Sequence, residues 1–472
     1  MPCQLSLRPI LLASAAVVGL AMALASQACA PSGPSVARVV GRQPDIILIT
    51  IDALRADHLG IYGYDRPTSP SIDAFARGAV VVRDHISQAP YTKASMASLF
   101  TGLFPTAHKV VTSSVTFASA MTGHVKSAVP TTDVLDSAVS TLAEELSAAG
   151  YQTVGLDTNP FLLREFGFAQ GFGAYEFLSD EGTVVSSAAD VTARALQGID
   201  SRDRARPLFI WFHVMEPHSP YTPAEPFRHM FPPRSPPLIV PSDTIPPWLM
   251  VQGSRDARVY EALYDAEVRE ADDALGRFFR GLGERHMIET SIVVLTADHG
   301  EEFFDHGGFE HNRTLFDEMI RVPLIVAAPG LTPGIREAQT QEVDLMPTLA
   351  AQAGAHVPEG LHGADIWPVL EGKSKGERYA YSENPGSLYS LRTREWKFIS
   401  TLQGRHHLYR IDIDPRERED LVGTHPEETE RYRDLLVKIL ASAATAGKRL
   451  RGQAAPIQPR VLQRLKALGY VQ

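Results

Sequence analysis

The chain has 472 residues, 44% of them hydrophobic, enough for one large domain with a smaller appendage or for two ordinary domains. Lys and Arg total 45 against 55 Asp and Glu, a formal charge of -10 that argues against any general affinity for nucleic acid or an anionic membrane. An anionic substrate would have to be drawn by a local site.

Residues 1–28 have the pattern of an export signal: Arg8, an apolar run from Ile10 to Leu24, then Ser26-Gln27-Ala28 before Cys29. Residues 29–43, with Pro31-Ser32-Gly33-Pro34-Ser35, form a flexible linker. Two endings fit the signal. In one, Cys29 is acylated and attaches the protein to a membrane as a lipoprotein; in the other the chain is cut after Ala28, because Ser26 stands where lipoprotein signals prefer Leu. Both predict an extracytoplasmic protein, periplasmic or held at the cell envelope, otherwise secreted. No later segment has the length and purity of a transmembrane helix. The two cysteines are Cys3 and Cys29, so the body holds no intrachain disulfide framework, thiolate metal site or cysteine nucleophile.

Asp45 to Ile51 is a nearly continuous apolar run ending at Asp52, the pattern of a strand buried on both faces. Similar runs cover Pro207–His213, Ile292–Thr296 and Val322–Ala327, with helical patterns such as Thr141–Ala149 and Tyr260–Leu282 between them. Strands alternating with helices predict an α/β fold with a mostly parallel sheet, over residues 44–372. Functional groups in such sheets gather beyond the carboxyl ends of strands, where Asp52, Glu216-Pro217-His218 and Asp298-His299 fall. The proline-crowded stretch from Ser219 to Trp248 predicts a long irregular excursion rimming the cleft. Residues 373–472 change texture, to short strand-like pieces at Leu391–Thr393 and Trp396–Ile399 and a polar helix from Glu427 to Lys448, and predict a smaller C-terminal subdomain.

Residues Ala89 to Gly102 are a small-residue turn leading into a short helix, and Thr92 at its start is either a capping hydroxyl or a group that meets an anion or metal. Asp298-His299-Gly300-Glu301 sets a carboxylate beside an imidazole at a strand end, which taken alone reads more readily as a polar loop than as metal ligands. Asp52 at another strand end favours the metal, since two carboxylates converging with a histidine suit a divalent cation. Such a cation can lower the pKa of the Thr92 hydroxyl and present it as a nucleophile.

In these blocks the chain resembles the sulfatase family of the alkaline-phosphatase superfamily. The resemblance extends through Asp52-Ala53-Leu54-Arg55-Ala56-Asp57, Ser69-Pro70-Ser71-Ile72-Asp73 and the Thr92 to Gly102 block. It continues in Met215-Glu216-Pro217-His218, Ala297-Asp298-His299-Gly300-Glu301, Arg321-Val322-Pro323-Leu324, Asp344-Leu345-Met346-Pro347-Thr348-Leu349 and a tail of Leu468-Gly469-Tyr470-Val471. It implies a three-layer sandwich with a mostly parallel central sheet and a C-terminal α+β subdomain, and an ester hydrolase working through a divalent metal and a covalent intermediate. By position Asp52, Thr92, Asp298 and His299 would be metal ligands, Thr92 also the nucleophile, and His218 and His311 would contact the substrate's anionic group or leaving oxygen.

The departures are informative. Family sulfatases carry Cys or Ser at the nucleophile, Pro two residues on and Arg four residues on; here Thr92, Ala94 and Met96 stand there, so no formylglycine is expected. The second aspartate of the usual pair is Ala53, and a Lys-x-His pair that grips sulfate falls at Thr158-Asn159-Pro160. With fewer cations around the anion, a singly charged phosphodiester or phosphonate should be favoured over a dianionic phosphate monoester, and phosphotransfer to an alcohol stays open. His299 at the metal and Ala53 beside it tilt the cation towards Zn²⁺ or Mn²⁺, with Ca²⁺ or Mg²⁺ as alternatives. Two rival readings remain: a sulfuric ester hydrolase acting without formylglycine, and an inactive metal-containing protein that binds anionic glycans or lipid head groups. Lys93 is expected either to offset charge at the nucleophile or to face solvent, and Glu301 and Glu302 either to support His299 or to face water. These features do not specify an oligomeric state.

Overall fold

Strand β1 (Asp45–Ile51) is buried along all seven residues, and its isoleucines suit a strand flanked on both edges and covered on both faces. The computed structural model describes residues 42–112, 116–122, 125–179, 186–374 and 376–467. The export signal, Cys29 and the tail Leu468-Gly469-Tyr470-Val471 lie outside the described residues.

Among the described residues the central sheet has nine strands. After β1 come β2 (Val80–Ile86), β3 (Gln152–Asp157), β4 (Ala174–Phe177), β5 (Leu208–Val214), β6 (Ser291–Ala297), β7 (Arg321–Ala327), β8 (Gly334–Arg336) and β9 (Thr340–Gln341). Their order is β8-β2-β7-β6-β1-β5-β3-β4, with β9 also paired to β2. Every pairing is parallel except the two made by β7. β7 runs backwards because residues 298–320 carry no helix long enough to cross back over the sheet. The chain stays at the carboxyl end of β6, and the next strand must return from there.

Alternation along β1 builds two cores. Ile47, Ile49 and Ile51 pack with α1 (Pro70–Ala76), α4 (Ala188–Asp200) and the long α5 (Ala257–Glu284). Ile46 and Leu48 face α2 (Thr92–Thr101), α3 (Leu142–Ala148) and α6 (Leu345–Ala353) on the other side. Helices thus cover both faces of the sheet, giving the expected three layers. β10 (Ala380–Asn384), β11 (Leu388–Arg392), β12 (Trp396–Thr401) and β13 (His406–Arg410) form an antiparallel sheet, against which α7 (Pro426–Ala446) packs through Tyr432 and Leu436. Among the described residues no helix is long and apolar enough to cross a membrane.

Candidate active site

The period of two that builds the cores also sorts the polar residues. Asp52 follows Ile46, Leu48 and Thr50 on the α2 face, Asp298 follows Ile292, Val294 and Thr296, and His213 follows Phe209 and Trp211. Three strand ends therefore aim polar groups at the head of α2. That helix is buried on every side, as a helix of small and apolar residues between two layers should be. Thr92 is its first helical residue, while the N-cap position belongs to Tyr91.

The ligand atoms of Asp52, Asp298 and His299 lie within 4.8 Å of one another, and all three residues are buried. His299 Nδ1 donates to the Gly300 carbonyl at 2.8 Å, which leaves the Nε2 lone pair facing the cluster. Thr92 Oγ1 lies 3.2 Å from that nitrogen, and Asp52 Oδ1 and Asp298 Oδ2 each lie 3.5 Å from it. Neither of those two oxygens has a hydrogen-bond partner. Buried polar atoms are normally paired, and two unpartnered carboxylate oxygens converging with a hydroxyl and an imidazole nitrogen fit a divalent cation. The charges respond to this crowding. Burial and the Asp52 charge push the Asp298 carboxyl up to about 6. For Asp52, burial acts upward but His218, His213 and His299 outweigh it, and the carboxyl falls below the usual range.

The remaining oxygens are tightly engaged. Asp298 Oδ1 accepts from the backbone N–H groups of Ala53 and His299, at 3.1 and 2.9 Å. Ala53 thus serves through its backbone, turned into the left-handed region (φ 54°) at the end of β1, a strained conformation for a residue with a side chain. Asp52 Oδ2 accepts from Asn159 Nδ2 at 2.7 Å and His213 Nε2 at 3.0 Å. The Asp52 carboxylate can only accept, so His213 Nε2 carries the proton between them. His213 Nδ1 meets Thr50 Oγ1 at 2.8 Å, and that hydroxyl accepts from Trp211 Nε1 at 2.9 Å. The Asn159 amide also reaches Thr92 Oγ1, at 3.4 Å.

A second set of contacts fixes α2 against the metal loop. Ser95, one turn beyond Thr92, meets the Asp298 carbonyl at 2.6 Å and Glu342 Oε2 at 2.7 Å. Ser95 has one hydroxyl proton for these two acceptors, and burial pushes the Glu342 carboxyl well up. Gly300 is required beside it, because a Cβ there would lie 1.9 Å from the Glu318 carbonyl.

The structure brings all six expected site residues into one region. The rings of His299 and His311 are 4.5 Å apart, and those of His311 and His218 4.9 Å. Glu301 accepts from His311 Nδ1 at 3.2 Å, whereas Glu302 accepts from the backbone of His306 and Gly308 and shapes the following turn. Both are buried, so the solvent-facing alternative fails for each. Lys93 also departs from both expectations. It is buried, donates to Thr132 Oγ1 at 2.6 Å and to the Asp133 carbonyl, and lies over the Phe166 ring. A helix enclosed on every side offers it no solvent face.

His213 and Asn159 were not anticipated as site residues. The signal for His213 was a polar side chain near the end of an otherwise apolar strand, which becomes legible only once β1 and β5 are set in register with Thr50 opposite His213.

A family model described as Sulfatase matches residues 44–355. The chain belongs to the sulfatase family. A second model, N-sulphoglucosamine sulphohydrolase, C-terminal, matches residues 304–444 of this sulfatase-family hydrolase. Human arylsulfatase A is 26% identical over 455 residues, covering 81% of this chain and 84% of the relative. Two solved structures have the same fold. The phosphonate monoester hydrolase of Agrobacterium radiobacter gives a TM-score of 0.68 at 19% identity, over 88% of this chain and 100% of that one. A protein solved with its substrate D-glucosamine-2-N,6-O-disulfate also gives 0.68, at 20% identity, over 87% and 99%. The family generally binds a divalent metal, and the Asp52, Asp298 and His299 cluster is the set of described residues suited to it.

Proposed function

We propose that this chain is an exported, metal-dependent hydrolase of singly charged esters, acting on phosphodiesters or phosphonate monoesters ahead of sulfate esters, with Thr92 as nucleophile. The observation that carries this reading is the Thr92 hydroxyl at the head of α2, 3.2 Å from His299 Nε2 beside two unpaired carboxylate oxygens. Among the described residues, no lysine or arginine pairs with Thr92, Asp52, Asp298 or His299, and the neutral amide of Asn159 reaches the Thr92 hydroxyl. A doubly charged phosphate monoester would gain least from such a site.

A bound cation would be held by Asp52, Asp298, His299 and Thr92, and would lower the hydroxyl pKa of Thr92 and offset charge on the substrate oxygens. One imidazole among oxygen donors favours Zn²⁺ or Mn²⁺. The chain's own groups divide the rest. Asn159 holds both the nucleophile and Asp52. His311 commits Nδ1 to Glu301, and His218 commits Nδ1 to the Ser219 carbonyl, so in each Nε2 is the nitrogen that exchanges protons. Thr92 Oγ1 forms the bond to phosphorus as the ester oxygen leaves with its electron pair. The hydroxyl proton passes through an imidazole Nε2 to that oxygen. Water then hydrolyses the Thr92 ester and restores the hydroxyl. Export rests on the leader pattern over residues 1–28.

Rates on an aryl phosphodiester, an aryl phosphonate monoester, an aryl phosphate monoester and an aryl sulfate, each with Zn²⁺, Mn²⁺, Mg²⁺ and Ca²⁺, test the reading. The singly charged phosphorus substrates should lead, and Thr92→Ala should lower kcat by roughly 10⁴-fold or more. Sulfate turnover far above every phosphorus substrate would overturn the substrate order, and an unaffected Thr92→Ala variant would overturn the nucleophile.

A further inference from the structure

A cavity of about 600 Å³ opens where the segments around residues 55–65, 234–261, 303–306, 317–321 and 415–418 meet. Its volume suits a ligand the size of a disaccharide. None of the metal-site side chains lines it; it adjoins their loop through Phe303 and Asp305 and through Arg55, which donates to the Glu301 carbonyl at 3.1 Å.

The walls carry six arginines and six carboxylates, and the two sets are not equally engaged. Every carboxylate has a cationic or imidazole partner. Asp57 and Asp305 flank Arg55, each at 2.9 Å. Asp65 accepts from Arg234 at 3.0 Å, and the same guanidinium reaches Glu261 at 3.6 Å. Asp317 meets Lys397 and Arg392 at 2.8 Å, and Glu318 meets His306 at 2.6 Å. Arg321 is matched by Asp84 at 3.0 Å. The remainder is cationic: among the described residues, the side chains of Arg258, Arg416 and Arg418 form no hydrogen bond or ion pair, although all three line the cavity.

Arg416 and Arg418 sit on an anchored turn. Glu417 between them adopts a left-handed backbone (φ 52°) and sends a buried carboxylate inward, 2.9 Å from Lys397 Nζ, where it also accepts from the Asp317 backbone at 2.7 Å. Asp414 accepts from the Arg418 and Glu419 N–H groups at 2.7 and 2.9 Å, and His306 Nε2 meets the Arg416 carbonyl at 3.1 Å. A turn pinned at both flanks lowers the ordering cost of binding. Guanidinium forks match the paired oxygens of sulfate and phosphate, and Tyr64, Phe303 and Phe304 supply apolar wall beside them.

We propose that this cavity is a second anion site, separate from the metal centre, that binds a sugar-sized ligand carrying two or more sulfate or phosphate groups. The test uses the full metal-loaded chain with Thr92→Ala to prevent turnover, titrated calorimetrically with a heparin-derived disulfated disaccharide in one arm and fructose 1,6-bisphosphate in the other. Saturable binding of at least one probe is expected, and the tighter arm identifies sulfate or phosphate as the natural group. Adding Arg258→Ala, or Arg416→Ala with Arg418→Ala, should weaken it about tenfold per arginine. On the Thr92 background, the same arginine variants should leave kcat/KM for a small aryl ester unchanged. Absence of binding in both arms, equal affinity in the arginine variants, or a parallel loss of aryl-ester turnover would each overturn the second site.

Discussion

Two groups of buried charges lie on either side of the segment from Asp298 to Asp317, and they are completed in opposite ways. At the base of the C-terminal sheet, Asp317 meets Arg392 and Lys397 at 2.8 Å, Lys397 meets Glu417 at 2.9 Å, and Arg392 also meets Asp84 at 3.0 Å. There Arg392 and Lys397 outweigh burial and hold the Asp317 carboxyl below its usual range. At the candidate metal centre two carboxylate oxygens, Asp52 Oδ1 and Asp298 Oδ2, have no hydrogen-bond partner, and burial together with the Asp52 charge pushes the Asp298 carboxyl up. Buried charge that the chain completes itself holds two parts of the structure together. Where the chain leaves it incomplete, the carboxylates are suited to a cation from outside.

The largest expected effect that separates the two regions is on stability. Lys397→Met leaves Asp317 and Glu417 buried with one cation fewer, and should cost about 3–5 kcal/mol in denaturant unfolding. Metal affinity and kcat, measured well below the unfolding midpoint, should hold. Loss of metal binding in folded Lys397→Met protein would mean that the two regions are one network, and the comparison would fail.

How far each region was legible depends on the range of the interactions. Asp52, Asp298 and His299 could be picked out because Asp52 follows one fully buried strand and Asp298-His299 follows another, a local pattern that already says which end of the sheet they share. His213 lay in an equally apolar run, but its partner is Thr50, 163 positions away, and only the strand register discloses the pair. Asn159 stood out as the loss of a family Lys-x-His pair, yet its amide supplies donors to Asp52 and Thr92. Lys93 was misjudged because nothing local reveals that residues 132–133 fold over α2 and accept its ammonium. The reversal of β7 was hidden for the same reason: an apolar run sets burial, and the path of the preceding loop sets direction.

A smaller effect is expected at the donor chain behind Asp52. His213→Phe keeps the ring's bulk on the α2 face while removing the proton that Nε2 gives to Asp52 Oδ2. Asn159 then remains as that oxygen's side-chain donor, and Asp52 is freer to rotate. Metal affinity, read by competition with a chromophoric chelator, should fall 10- to 100-fold, approximately, while unfolding of the metal-free protein changes little. The reverse pattern, intact affinity with a large loss of stability, would assign His213 to the core and not to the metal centre.

The smallest effect comes from a buried carboxylate belonging to neither region. Asp272 on α5 accepts from the backbone N–H groups of Ser71 and Ile72, at 2.9 and 2.7 Å, and so satisfies the start of α1 from a neighbouring helix. Burial pushes its carboxyl up to about 6, from an ordinary value of 3.8. Between those two values the folded chain binds more protons than the unfolded one, so raising the pH through the window removes stability, and above about 6 the full cost of the buried charge is present. Asp272→Asn keeps an acceptor for Ser71 and Ile72 but cannot ionise. Its unfolding free energy relative to the parent should therefore improve by on the order of 1 kcal/mol from pH 4 to pH 7. A difference that stays flat across that range would show that the two backbone donors and Arg269, 3.3 Å away, already neutralise the carboxylate. That outcome would move Asp272 to the side of the charges the chain completes for itself.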